Sequence, residues 1–249
     1  MEIQPRELPN GNLAYPKYIC YKFQSKNILL DLQKNGHIFM KCLEYYIELE
    51  KETGDSSIGD AKEALSFNSS IKLVSDNNSK VIDFGKCDVR IGNDIKKPVF
   101  CLTCVDVLDY IIDFSYPIVE CNPSFDKKIL SAFSKTGDDL YVLMIDLYSF
   151  HDKIKSQLDK MNIQFDCGFV KYRNTNIFYK DGENITINGP FNKREIYSYQ
   201  KEFRYLIEKN INCTEYFDFY IGDISDISYL CKAKELFENK YKYIFTFDE

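Results

Sequence analysis

Late in the chain, Tyr199-Gln200-Lys201-Glu202-Phe203-Arg204-Tyr205-Leu206-Ile207 sets an amide, a carboxylate and a guanidinium at alternate positions. Side chains alternate across a strand, so an extended segment puts Gln200, Glu202 and Arg204 on one face and Phe203, Tyr205 and Ile207 on the other. The aromatic and β-branched face belongs against a core. Three polar groups in register on the opposite face require either water or a ligand, and chemistry is expected there. The same pattern also fits a solvated sheet face whose Glu and Arg pair with neighbours.

The other residues with chemical potential read as structural. Cys101-Leu102-Thr103-Cys104 has the spacing of a redox or zinc knuckle, but no second pair stands at zinc-ribbon distance. Val99 to Val105 reads instead as a buried strand in which Cys is a small hydrophobe. The two histidines, His37 and His151, form no HxxxH arrangement, so no metal is expected. Nine cysteines, an odd number without a spaced framework or a preceding signal peptide, suit a reducing cytoplasm.

A chain of 249 residues, 45% of them apolar, can bury a core without disulfides or metals. A net charge of −6 argues against tight non-specific binding to a phosphate backbone, though not against a nucleic acid as a transient substrate. No apolar run approaches the roughly 20 residues a spanning helix needs, so no membrane partner is expected.

The elements that must position these groups form one α+β domain over residues 13–249, with antiparallel or mixed sheets and flanking helices, after a flexible arm at 1–12. Tyr18 to Phe23 reads as a strand. Ser25 caps a helix carrying Ile28, Leu29 and Leu32 and ended by Asn35-Gly36. A strand from His37 to Lys41 leads to a helix over Leu43 to Glu52, which turns Tyr46 inward with Leu43 and Ile47 and leaves Tyr45 pointing elsewhere. Alternation from Ile71 to Val105 predicts an antiparallel meander. Ser124 caps a helix closed by Gly137, Leu140 to Leu147 is the most apolar strand and is placed centrally, and Ser149 caps a helix bearing Ile154, Leu158 and Met161. Strands follow at Phe165 to Tyr172, Asn184 to Ile187, Tyr197 to Ile207, Tyr216 to Ile221 and Tyr241 to Phe247, with a short helix around Lys232 to Phe237.

In that order, a strand with Tyr21-Lys22-Phe23-Gln24-Ser25, a capped helix ending in Gly36, another strand and a late Gln200-Lys201-Glu202 resemble the ADP-ribosyltransferase superfamily, especially its DarT-like toxin and abortive-infection branches. The chain also resembles bacterial proteins found beside phage-defence genes, through the first strand, the acidic loop Gly59-Asp60-Ala61-Lys62-Glu63, the strand Cys101-Leu102-Thr103, and Phe191-Asn192-Lys193 followed by Tyr199 to Arg204. The resemblance implies an ADP-ribosyltransferase-like fold, NAD as substrate, a protein or nucleic acid as acceptor, and an antitoxin or phage trigger protein as a further partner. A non-catalytic sensor and an NAD glycohydrolase are the alternatives.

On that resemblance Glu202 is the catalytic carboxylate, stabilising the positive charge that develops on the ribose as the bond to nicotinamide breaks. Gln200 orients acceptor or ribose. Arg204 holds Glu202 ionised, binds a phosphate, or makes a structural salt bridge. Lys22 faces the pyrophosphate or adenosine ribose beside Gln24, with Tyr21 or Phe23 as an aromatic surface and the other as packing. Thr103 donates to the nicotinamide ribose or is an ordinary strand threonine, and Tyr45 is the site candidate of its helix. Asp60 and Glu63 bind a target or are solvated, and Lys193 meets a phosphate or only water. The early cation and the late acid are expected to converge on one pocket sized for a dinucleotide.

Overall fold

Arg6–Glu7 (β1) pairs with Leu13–Ala14 (β2), and Arg6 lies 3.3 Å from Asp106, so the segment read as a free arm is anchored at Arg6 and Glu7. The computed structural model describes residues 4–8, 11, 13–54, 64, 67–74, 81–89, 93–111, 118–121, 125–133, 140–173 and 189–246. Tyr18–Ser25 (β3) runs into Lys26–Asn35 (α1), whose amphipathic spacing buries Leu29 and Leu32 and which closes at Gly36 in the left-handed region. His37–Cys42 (β4) and Leu43–Thr53 (α2) follow, and Gly54 closes α2 in the same way.

Phe67–Val74 (β5) and Val81–Val89 (β6) form a hairpin of their own. The expected meander therefore breaks before Pro98–Asp106 (β7), which joins the main sheet instead. Eight of its nine residues are buried, as suits a strand covered on both faces. Beyond it come Ile118–Cys121 (β8), Lys128–Phe133 (α3), Leu140–Asp146 (β9), Leu147–Lys160 (α4), Phe165–Phe169 (β10), Lys171–Arg173 (β11) and Asn192–Arg194 (β12). A 3-10 turn over Glu195–Gln200 leads to Glu202–Ile207 (β13), and Phe217–Tyr220 (β14), Ser228–Lys232 (β15), Ala233–Phe237 (α5) and Tyr243–Thr246 (β16) complete the order. The strand expected at Asn184 to Ile187 lies outside the described residues, and neither β8 nor β15 was anticipated.

Among the described residues the main sheet has eight strands in the order β10-β13-β7-β3-β9-β15, with β4 pairing the start of β7 and β14 pairing β4. Every pairing in it is antiparallel. Leu140–Asp146 is interior but lies next to the edge strand, and the middle is held by β7 and β3. One face buries Leu143, Phe203 and Tyr205 against Leu29 and Leu32 of α1 and Phe150, Ile154 and Leu158 of α4. The opposite face buries Tyr21, Phe23, Val142 and Met144 against Ile129 of α3 and Ala233 and Leu236 of α5. The fold is α+β, as expected. No helix among the described residues is long and apolar enough to cross a membrane.

The cap of α4 differs from the sequence reading. The helix starts at Leu147, and Asp146 Oδ1 accepts the Ser149 backbone N–H at 2.9 Å. Asp146→Ala should lower stability by about 0.5–2 kcal/mol, whereas Ser149→Ala should shift the urea midpoint much less. Equal shifts for the two variants would argue against Asp146 as the cap.

Candidate active site

The position of the site follows from how β7 shares its edges. Along one edge it pairs with β13 from Glu202↔Thr103 to Leu206↔Val99. Along the other, β3 takes Thr103 to Asp106 and β4 takes Pro98 and Val99. Phe100 to Leu102 has neither partner there, because β3 leaves β7 after Tyr21 and continues beside β9 as far as Ser25. The fork between β3 and β7 opens a cavity of about 210 Å³. It passes between separating strands, so residues of both sheet faces line it, among them Tyr21, Thr103 and Glu202 from one and Lys22, Phe100 and Leu102 from the other.

The structure brings Lys22, Phe23 and Gln24 to this cavity together with Gln200 and Arg204. Tyr21, Thr103 and Glu202 stand in one row across three adjacent strands, each directly opposite the next. The cavity is below the roughly 300–1,000 Å³ usual for ligand pockets. It has room for a ring and a sugar within its walls.

Glu202 is buried between two cations. Its Oε1 accepts from Lys193 Nζ at 2.7 Å, and its Oε2 accepts from Arg204 Nε at 2.8 Å and Nη2 at 2.6 Å. Arg204, only 1% exposed, also donates through Nη1 to the Pro190 carbonyl at 2.6 Å. Burial alone would raise the Glu202 carboxyl, but the charges of Arg204 and Lys193 and their hydrogen bonds outweigh it and hold the group well below the usual carboxylate range. Arg204 is thus a structural ion pair and the group that keeps Glu202 ionised; these two readings describe one contact.

Two features correct the reading of this segment. The strand begins at Glu202, since Gln200 ends the 3-10 turn and Lys201 adopts φ 44°, a left-handed conformation uncommon for a residue other than Gly. Gln200 shares the site because Lys193 Nζ donates to its Oε1 at 2.7 Å, not because of strand alternation. The face bearing Glu202 and Arg204 is also buried, so ion pairing and hydrogen bonds within the protein stand where water or a ligand was expected.

Lys193, read as meeting a phosphate or only water, is 5% exposed and sits 4.7 Å from the Tyr197 ring centroid. The one signal for its burial in the sequence is the apolar Gly189-Pro190-Phe191 just before it. Tyr172 Oη accepts the Glu202 backbone N–H at 2.8 Å, fixing the start of β13 from β11. No sequence pattern pointed to Tyr172.

Lys22 is half-buried, with Nζ donating to the Cys101 carbonyl at 2.8 Å and lying 4.5 Å from the Phe100 ring centroid. That carbonyl belongs to the stretch of β7 that β3 has left, so the amine occupies the place of a missing strand neighbour. Loss of water lowers its pKa from the ordinary lysine value, with Cys101 and Glu202 opposing. Burial and the Glu202 charge push the Cys101 thiol up to about 11, which keeps it neutral.

On α2 the expectation is reversed. Tyr46 lines the cavity, while Tyr45 is 36% exposed and lies 5.2 Å from Lys41 Nζ. Tyr21, as the packing alternative required, is buried edge-on against Phe125 with its hydroxyl 2.6 Å from that of Tyr243. Asp60 and Glu63 lie outside the described residues.

Cys101 and Cys104 point to opposite faces, as residues three apart on a strand must, so they form no knuckle. Cys104 is joined to Cys20, its direct partner on β3, by a disulfide, and the reading of the Val99 to Val105 cysteines as small hydrophobes fails for Cys104. His37 sits between Asp31, 2.6 Å away, and Asp218, 3.2 Å away, and His151 stacks on Tyr205. No metal-ligating cluster occurs among the described residues. No protein-family model, curated protein or solved structure is significantly similar to the chain.

Proposed function

We propose that the cavity receives the nicotinamide and ribose of NAD, and that the chain transfers ADP-ribose to a macromolecule, a protein or a nucleic acid. The observation that carries this reading is the meeting of Glu202 and Gln200 with the first-strand segment Lys22 to Gln24 around one cavity, from distant parts of the chain. A carboxylate held ionised at neutral pH suits the task, since its attraction for the ribose grows as the ring becomes positive in the transition state. Tyr46 and Phe100 supply flat surfaces for a ring.

Incubation with NAD labelled in the adenylate half, in the presence of cell extract, should release nicotinamide and move label onto a macromolecule. Release with all label left free would make the chain an NAD glycohydrolase. Neither release nor transfer would overturn the proposal.

A second reading is favoured by one observation. Both oxygens of Glu202 are already held by buried cations, which weakens the field it projects into the cavity. This suits a module that binds a ligand without turnover, and such a module would retain NAD in equilibrium binding while leaving it intact.

A further inference from the structure

Among the described residues the cavity carries Lys22, Lys193 and Arg204 against one acid, Glu202, in a chain whose net charge is negative. Lys193 and Arg204 are hydrogen-bonded to that acid. Lys22 differs in kind: among the described residues its one hydrogen-bond acceptor is a neutral backbone carbonyl, and its other close neighbour is the face of Phe100. An amine so placed meets the cavity contents from an apolar wall, with the remaining charges set toward β13. This is the setting in which lysines act as nucleophiles rather than as point charges.

We propose that Lys22 is a covalent capture site for anionic carbonyl compounds, the class that includes open-chain sugar phosphates and phosphorylated aldehydes. The lone pair of the neutral Nζ attacks the carbonyl carbon to form a C–N bond. One amine proton passes to the carbonyl oxygen, giving a carbinolamine. That hydroxyl then leaves with the second amine proton as water while the C=N bond forms. The balance is amine plus aldehyde to imine plus water, with no oxidant or reductant required. The excess positive charge of the described lining selects an anionic partner, and the volume suits one no larger than about a ring and a sugar. Loss of water around the amine lowers its pKa and raises the neutral fraction available for attack. The inference goes beyond the NAD reading and stands without turnover of NAD.

The test uses the full chain and pyridoxal 5′-phosphate as the probe, with borohydride reduction of the imine and peptide mass spectrometry to place the label. Lys22 should be modified at least about tenfold faster than exposed lysines such as Lys127 and Lys160, and its rate should reach its plateau at lower pH, as a lowered pKa requires. Ribose 5-phosphate trapped with cyanoborohydride should label the same position, and the uncharged ribose should do so more slowly. Lys22→Arg should remove this label and leave the others. The unsubstituted chain already decides the matter if the variant misfolds. Labelling of Lys22 no faster than of the exposed lysines, or a rate that follows theirs with pH, would overturn the proposal.

Discussion

Glu202→Gln should cost about 3–5 kcal/mol of folding stability, read as a drop in the urea midpoint, because it leaves two cations buried without their counter-charge. The carboxylate accepts three N–H bonds, one from Lys193 and two from Arg204. An amide of the same shape offers one oxygen and turns an NH2 group toward a cation. Lys193→Met on its own should also destabilise, by freeing one carboxylate oxygen inside the protein. The double variant Glu202→Gln/Lys193→Met should be more stable than the sum of the two single losses by about 0.5–3 kcal/mol, the size of coupling found between residues in contact. Additive losses would mean the two side chains do not form the pair described.

This cycle also separates fold from chemistry. If Glu202 acts on the ribose, nicotinamide release stays absent in the double variant even where stability recovers. If activity returns with stability, the carboxylate serves only the structure. Acid adds an independent reading. The folded-state pKa of Glu202 lies below the unfolded value of about 4.3, so its stabilisation is complete above that value and is lost as pH falls through the folded value. Denaturation midpoints of the native chain should therefore fall below about pH 4, and Glu202→Gln should flatten that part of the profile.

Gly36→Ala should be similarly damaging, while Gly54→Ala, at the same position of the next helix, should be mild. Both residues close a helix in the left-handed region, at φ 63° and 65°. That conformation costs a residue with a Cβ roughly 1–2 kcal/mol. At Gly54 nothing among the described residues lies within 4 Å of the added carbon, and the conformational cost is the effect expected. At Gly36 the added carbon would fall 2.2 Å from the Gly222 carbonyl oxygen and 2.7 Å from its nitrogen. Both are backbone atoms of a turn fastened by the Ile221 N–H to the Gly36 carbonyl, so neither can swing aside. Overpacking adds roughly 1–3 kcal/mol, for a total of about 2–5, and equal midpoint shifts for the two variants would show that the close approach does not exist in solution.

Local signals carried the parts of the fold made within short stretches of chain. Leu29 and Leu32 at helical spacing, with Ser25 before and Gly36 after, define α1 because periodicity and the left-handed closure are properties of neighbouring residues. Alternation in Glu202 to Ile207 is likewise local and sends Phe203, Tyr205 and Ile207 into one core. The same reasoning failed one residue upstream, where Lys201 takes a left-handed conformation that no local rule assigns to a lysine. It failed at Asp146 because Asp and Ser, three residues apart, both suit a cap, and the choice depends on where β9 ends. It misjudged Tyr45 and Tyr46 because a helical pattern states which side chain turns inward but not that a cavity lies there.

The sequence by itself determined the α+β class, the first two helices with the closure of α1 at Gly36, and the alternation that sets Glu202 and Arg204 on one side of a strand. Only the tertiary structure decided that β7 lies between β13 and β3, that β3 parts from it after Tyr21, and that Lys193 is drawn in as the second cation on Glu202. The reason is physical. Helix periodicity and strand alternation act over a few residues, whereas strand order and the burial of a charge depend on pairings between segments far apart in the chain, and no short stretch encodes its distant partner.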